Sequence, residues 1–420
     1  MEKGEVVRLR EANREQLELR PYDLDSVLGA EHSARAIWRL VESLKLEGFY
    51  SAIKAVAGSP GQNATDPKIL LALWLYATSE GYSSAREVAR LTQSHDAYRW
   101  ICGGVTVNYH LLSDFRVDHE LALDQLMSEV LAVLMERNLI SLHRVAQDGT
   151  RVRASAGAAS FRRKARLKAC LKTARAHIER LKSEPQSSET TLRSQAAQQR
   201  AAVERERRLT QALGELEKLN ATRAQAKNHA QREVAARASS TDPEARVMKM
   251  PNGGFNPAYN VQLATDTESR LIVGVRVSNS GSDSRQLEPM LDEIERRTGG
   301  LPDQHLADGG FLHFQTVEHA AERGVEVFAP LREHANYVNP HKVQPRDSQA
   351  IAQFRQRMSS PAGKKIYQER AATAETVNAD LKTNRGLDRL LVRGMTKVLM
   401  VAMWSALTYN LMRAIRMGWL

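Results

Sequence analysis

A chain of 420 residues, 42% hydrophobic and 26% charged, is long enough to bury at least one sizeable core and too apolar to remain disordered throughout. Its formal net charge of +11 and pI near 9.7 point to a polyanionic partner. The two cysteines, Cys102 and Cys170, stand far apart and exclude a disulfide framework or a cysteine-built zinc site. The charge is uneven: residues 1–140 carry −5, residues 160–245 carry +9 and residues 361–420 carry +6. Such segregation favours a surface for nucleic acid over a general solubility charge. The first residues hold no apolar signal core, and the longest uncharged run, Val398–Met412, contains Ser405, Thr408 and Asn410. That run is too short and polar to span a bilayer, so it is read as a buried helix. The expected location is the cytoplasm, at the nucleoid.

Residues 30–140 read as helical. Asp66 followed by Pro67 fits an N-cap with proline at the first helical position, opening KILLALWLYATSEG. Ser84 with Glu87 fits a capping box. Thr106 is placed to cap VNYHLLSDFRVDH, ahead of the apolar helix around ALDQLMSEVLAVLMERN. These helices suit a helix-turn-helix DNA reader or a plain bundle equally well. Residues 141–153, SLHRVAQDGTRVR, are strand-like. From about 160 to 240 the chain favours helix: Leu167, Leu171, Ala174, Ile178 and Leu181 form one seam, and Leu209, Leu213, Leu216 and Leu219 a second, with a break at SEPQSS. The expectation is a basic antiparallel hairpin of helices in contact with the DNA backbone.

After 245 the period changes. AYNVQLATD and RLIVGVRVSN flank a TES turn and read as a β-hairpin. A helix near Arg285–Arg297, a strand QHLADGG, a helix FQTVEHAAERG and a strand VEVFAPL follow. A long helix near 366–385 and the apolar C-terminal helix complete the order. With the hairpin set aside, this is an α/β core carrying a helical insertion after its first strand.

Two strands hold an aspartate, a residue that strands disfavour: Asp148 in RVAQDGT and Asp308 in HLADGG. Each precedes a glycine, which lets the backbone turn and leaves the carboxylate unshielded. Carboxylates gathered at neighbouring strand ends repel unless a divalent cation neutralises them, and magnesium suits such all-oxygen sites. Phosphoryl transfer by two metals needs a third carboxylate. Glu375 is the candidate, on a helix that also carries Tyr367, Arg370 and, two helical turns on, Lys382. Asp266 and Asp283 are read as turn or cap residues.

On these residues the chain resembles the DDE transposases of bacterial insertion sequences. DPKILLALWLYATSEGYSSAREVARL and NYHLLSDFR resemble their N-terminal helical domain. VAQDGTRVRAS, NPAYNVQLATD and HLADGGF resemble landmarks of the catalytic core, and Tyr367, Arg370, Glu375 and Lys382 resemble the Tyr-Arg-Glu-Lys helix. The resemblance implies a ribonuclease-H-like catalytic domain over 141–420, interrupted by the insertion at 160–240, behind an N-terminal domain of residues 1–140 that binds the DNA ends. It implies that Asp148, Asp308 and Glu375 form a triad holding two Mg2+ ions, for which Mn2+ could substitute, and that Tyr367, Arg370 and Lys382 hold DNA. It also implies double-stranded DNA, both transposon end and target, as partner, and a dimer or larger assembly. Four residues separate Arg370 from Glu375 where the signature often has three, which leaves Glu369 as a rival third ligand. The alternatives are a metal-dependent nuclease of the same fold and an inactive DNA-binding relative.

Overall fold

The computed structural model describes residues 23–55, 63–183, 189–225, 235–331 and 339–418. Seven helices come first: α1 (Ser33–Ser43), α2 (Glu47–Tyr50), α3 (Pro67–Ser79), α4 (Ala85–Ser94), α5 (Asp96–Cys102), α6 (Tyr109–Asp118) and α7 (Glu120–Glu136). The expected caps form where the sequence placed two of them. Asp66 accepts from the Lys68 N–H at 2.9 Å with Pro67 at the first position, and Ser84 accepts from the Glu87 N–H at 3.4 Å. The third lies two residues later than expected: Asn108, not Thr106, caps α6 by accepting from the Leu111 N–H at 2.9 Å. Asparagine reaches the orphan amides of a first turn better than a threonine two residues upstream.

The sheet is mixed. β1 (Arg144–Arg153) pairs antiparallel with β5 (Phe255–Asp266), which pairs in turn with β6 (Ile272–Ser278). On its other side β1 pairs parallel with β7 (Gln304–Leu306), and β7 with β8 (Glu326–Phe328); α10 (Leu287–Thr298) precedes β7, α11 (Phe314–Glu322) joins β7 to β8, and α12 (Gln349–Ser359) follows. Counting these five strands in chain order, they lie as third, second, first, fourth, fifth, which fits the ribonuclease-H-like expectation. Three short strands were not anticipated: β4 (Arg246–Lys249), which extends the β5 edge, and the pair β2 (Phe161–Arg162) and β3 (Ala238–Ser239). At two to four residues they are too short to carry a period.

Between β1 and β5 in the chain lie α8 (Lys164–Ser183) and α9 (Glu189–Ala224). They run antiparallel in one register, fixed by Lys164–Glu217 at 3.4 Å, Arg175–Glu206 at 2.8 Å and a Gln199 side-chain bond to the Leu181 carbonyl. Leu167, Ala174, Leu209, Ala212 and Leu216 are buried in the seam between them. The SEPQSS break falls largely on residues outside the described ones.

The largest apolar core runs without interruption from the N-terminal helices to the sheet. Its centrepiece is α15 (Met395–Arg416), which packs on α3, α6, α7 and β6. Trp404 donates to the Arg116 carbonyl at 3.0 Å, and Trp74 to the Leu112 carbonyl at 2.9 Å. Asn410, fully buried, pairs with the start of β6 as a strand would: it accepts from the Ile272 N–H at 2.8 Å and donates to the Ile272 carbonyl at 2.7 Å. The apolar C-terminal helix is thus mostly buried in protein, as its polar residues require.

Candidate active site

The β1–β7 pairing ends at Ala146 and Leu306, and Asp148 and Asp308 each lie two residues beyond. Neighbouring parallel strands are about 5 Å apart, so equal steps bring the two carboxylates to one notch, where β7 ends and β1 runs on alone beside β5. Open α/β sheets commonly bind ligands there. In both cases the following glycine N–H donates to the aspartate Oδ1, at 3.0 Å for Gly149 and 2.6 Å for Gly309. Burial pushes the Asp148 carboxyl above the usual carboxylate range, opposed by Arg370 and the Gly149 N–H and reinforced by Asp283 and Asp308.

Gly149 has another purpose than the turn expected of it. β1 continues through it in register opposite Gln262. On the reverse face, a β-carbon at Gly149 would fall 2.3 Å from Asp283 Oδ1 and 2.3 Å from Gln262 Nε2. Asp283 is no mere turn residue: its carboxylate accepts from Asn260 and Gln262, each at 2.7 Å, and pairs with Arg151 at 3.1 Å. Gln147 extends this network, donating to Gln262 at 3.0 Å and meeting buried His305 at 2.9 Å. Asp266 does cap a turn, accepting from the Ser269 N–H and hydroxyl, each at 2.8 Å.

Above the notch lies the segment expected as one helix near 366–385. It begins earlier and has three parts: α13 (Pro361–Arg370), a π-turn over Ala371–Glu375, and α14 (Thr376–Asn384). The π-turn explains the four-residue spacing. At about 100° per residue, five α-helical steps would carry Glu375 about 140° away from Arg370. A π-turn closes i→i+5 and absorbs the extra residue. Arg370 therefore still stands between Asp148, at 3.7 Å, and Glu375, at 3.9 Å. The rival Glu369 points elsewhere, to an ion pair with Arg144 at 2.5 Å.

Arg370 is half-buried beside Tyr367, its guanidinium carbon 6.0 Å from the ring centroid, and its buried Nε and Nη1 have no hydrogen-bond partner among the described residues. Burial works against its charge, but Tyr367, Asp148 and Asp308 outweigh that and hold its pKa above the usual arginine value. Burial also raises Tyr367, with Arg370 opposing. Lys382 lies further along α14, lowered by burial while Asp388 and Asp148 pull it up. All six residues singled out from sequence therefore come to one neighbourhood.

One residue of this neighbourhood escaped the sequence reading. Asn378, on α14, donates to Asp148 Oδ2 at 2.9 Å, and its own Oδ1 is buried without a partner. Its only sequence signal was its place three residues after Glu375.

Among the described residues no three His, Cys, Asp or Glu side chains converge into a ready-made metal cage. The donor chemistry nevertheless fits a hard cation: Asp148, whose ionisation burial and the neighbouring Asp308 make costly, Asp308 itself, a third carboxylate across an arginine, and an orphaned amide oxygen, all of them oxygen donors. DDE transposase domains typically use divalent metal ions.

No curated protein and no solved structure matches the chain. Two family models do: Transposase domain (DUF772) over residues 22–118, and Transposase DDE domain over residues 232–411. The second contains Asp308, Tyr367, Arg370, Glu375 and Lys382. Asp148 and the whole α8–α9 hairpin fall between the two matches. With helical region, mixed sheet and both matches in the expected order, the chain belongs to the DDE transposases of insertion-sequence type.

Proposed function

We propose that this transposase cuts DNA at the ends of an insertion sequence and joins the freed 3′-hydroxyl to target DNA. The observation that carries the reading is Arg370 held between Asp148 and Glu375, with Asp308 at the matching step of the adjacent strand. In this reading Asp148, Asp308 and Glu375 hold two Mg2+ ions, and Mn2+ can replace them. Bound there, the cations supply activation of the attacking oxygen and stabilisation of the departing 3′ oxygen.

The chain's own side chains position the DNA. Arg370 places a half-buried guanidinium between Asp148 and Glu375, where its positive charge suits a phosphate group brought to the notch. Tyr367 packs against that guanidinium and limits its motion. Lys382 adds a cation further along the segment, where the strand would continue. The α8–α9 hairpin is an insertion into a ribonuclease-H-like domain over 141–420, and residues 1–140 bind the DNA ends. Double-stranded DNA is the substrate at both steps. Because two ends are joined, the working form is a dimer or larger, at the nucleoid.

The test is cleavage and strand transfer on the element's own flanking DNA with Mg2+. Wild type should cut and join, while Asp148→Asn, Asp308→Asn and Glu375→Gln lose chemistry and keep DNA binding. Cutting without joining would leave a nuclease, and binding without cutting an inactive relative. Loss of activity in Glu369→Gln but not in Glu375→Gln would transfer the third ligand to Glu369.

A further inference from the structure

Among the described residues, the Asn378 amide is the one neutral side chain hydrogen-bonded to an acid of the notch. Its Nδ2 donates to Asp148 Oδ2 at 2.9 Å, while the Gly149 N–H donates to Oδ1 at 3.0 Å. Both oxygens of Asp148 are thereby tied, one by the strand and one by the helix. Arg370, though close, stays at 3.7 Å and does not take over either bond.

The other half of the amide is a liability in this protein. Asn378 is only 9% exposed, and its Oδ1 has no hydrogen-bond partner among the described residues. A buried, unsatisfied acceptor lowers stability, and a leucine of similar size would remove that cost. Packing alone therefore gives no reason for an asparagine. Placement gives one: Asn378 follows Glu375 by three residues, so both project from the same helical face, and the π-turn sets the phase of both.

We propose that Asn378 is a positioning residue. Its N–H fixes the Asp148 carboxylate in the orientation that accepts a divalent cation, and its oxygen is an uncharged acceptor for the hydration shell that magnesium retains. This rests on the metal-binding reading above.

The experiment measures Mn2+ affinity by calorimetry on the full chain without DNA, alongside thermal melting without metal. The proteins are wild type, Asp148→Asn, Asn378→Leu and Asn378→Ser. Partners that orient metal ligands are typically worth about 10–100-fold in affinity, so Asn378→Leu should weaken Mn2+ binding by that factor while the metal-free melting temperature changes little, the removed orphan oxygen offsetting the hydrogen bond lost by Asp148. Serine is too short to reach Asp148, and Asn378→Ser should weaken binding alike, which keeps the test open if leucine impairs folding. A packing role predicts the reverse, a lower melting temperature with unchanged Mn2+ affinity, and would overturn the proposal. If Asp148→Asn loses Mn2+ while both Asn378 variants keep wild-type affinity, the role of Asn378 falls and the metal site stands. If Asp148→Asn binds as tightly as wild type, the metal site itself is wrong, and the proposal fails with it.

Discussion

Deleting Ala372 should leave a working enzyme, although it shortens the segment that carries the third carboxylate. Ala372 is an exposed residue of the π-turn. Its loss converts that turn to α-helix and makes Arg370 and Glu375 an i,i+4 pair, about 40° apart around the axis. That preserves the relation now seen across 3.9 Å. Inserting an alanine after Ala372 does the opposite. It rotates everything downstream by about 100°, and at a side-chain radius of about 5–6 Å the Glu375 carboxylate moves about 8 Å. Neither Arg370 nor a shared cation can follow it that far. Misplacement of even 1 Å can cost about 100-fold, so the insertion should lower end cleavage by at least about 1,000-fold. The deletion should stay within about tenfold of wild type. The assay is Mg2+-dependent cleavage of an end substrate, with circular dichroism and DNA binding as controls. A dead but folded deletion variant, or an active insertion variant, would refute the phase argument.

Three other perturbations test the surrounding structure. His305 is fully buried, and burial lowers its pKa to about 4 from an exposed value of 6.5. The unfolded chain takes up this proton below about 6.5 and the folded chain does not, so stability present at neutral pH is lost between 6.5 and 4, by about 3 kcal/mol. His305→Gln should flatten that part of a urea-denaturation pH profile, and an unchanged slope would contradict it. Gly149→Ala should destabilise by about 2 kcal/mol or more, since its β-carbon would overlap Asp283 and Gln262; a neutral substitution in urea unfolding would show that the network yields. Lys168 and Lys172 are exposed on α8 and make no ion pair among the described residues. Replacing both with alanine should reduce the salt dependence of DNA binding by about two counterions without lowering the melting temperature. An unchanged slope would place the DNA elsewhere.

The strands that frame the notch were legible because period-two alternation and β-branched runs are local properties. Asp148 and Asp308 stood out for breaking strand preference, and structure puts them at equal steps of paired strands. Glu375 could be named but not separated from Glu369, because a π-turn has no reliable local signature and residue counting assumes regular helix. Asp283 looked like a turn residue because its partners, Arg151, Asn260 and Gln262, come from two other strands. Asn378 was invisible for the same reason: an amide becomes informative only once its partner, 230 residues away, is known. The paired glycines were noticed for the wrong cause. At Gly149 the requirement is room on the far side of the sheet, which no linear spacing reports.

The burial of α15 has a consequence for synthesis. Ribosomes emit α1 to α7 long before residues 395–416, yet the apolar faces of α3, α6 and α7 close on that last helix. Until it emerges, the N-terminal helices present an open greasy trough, a natural target for chaperones. Folding of this part of the protein thus completes late, after the strands of the sheet have been made. Premature termination anywhere before Met395 removes the lining of that trough, so a truncated product would be cleared instead of accumulating.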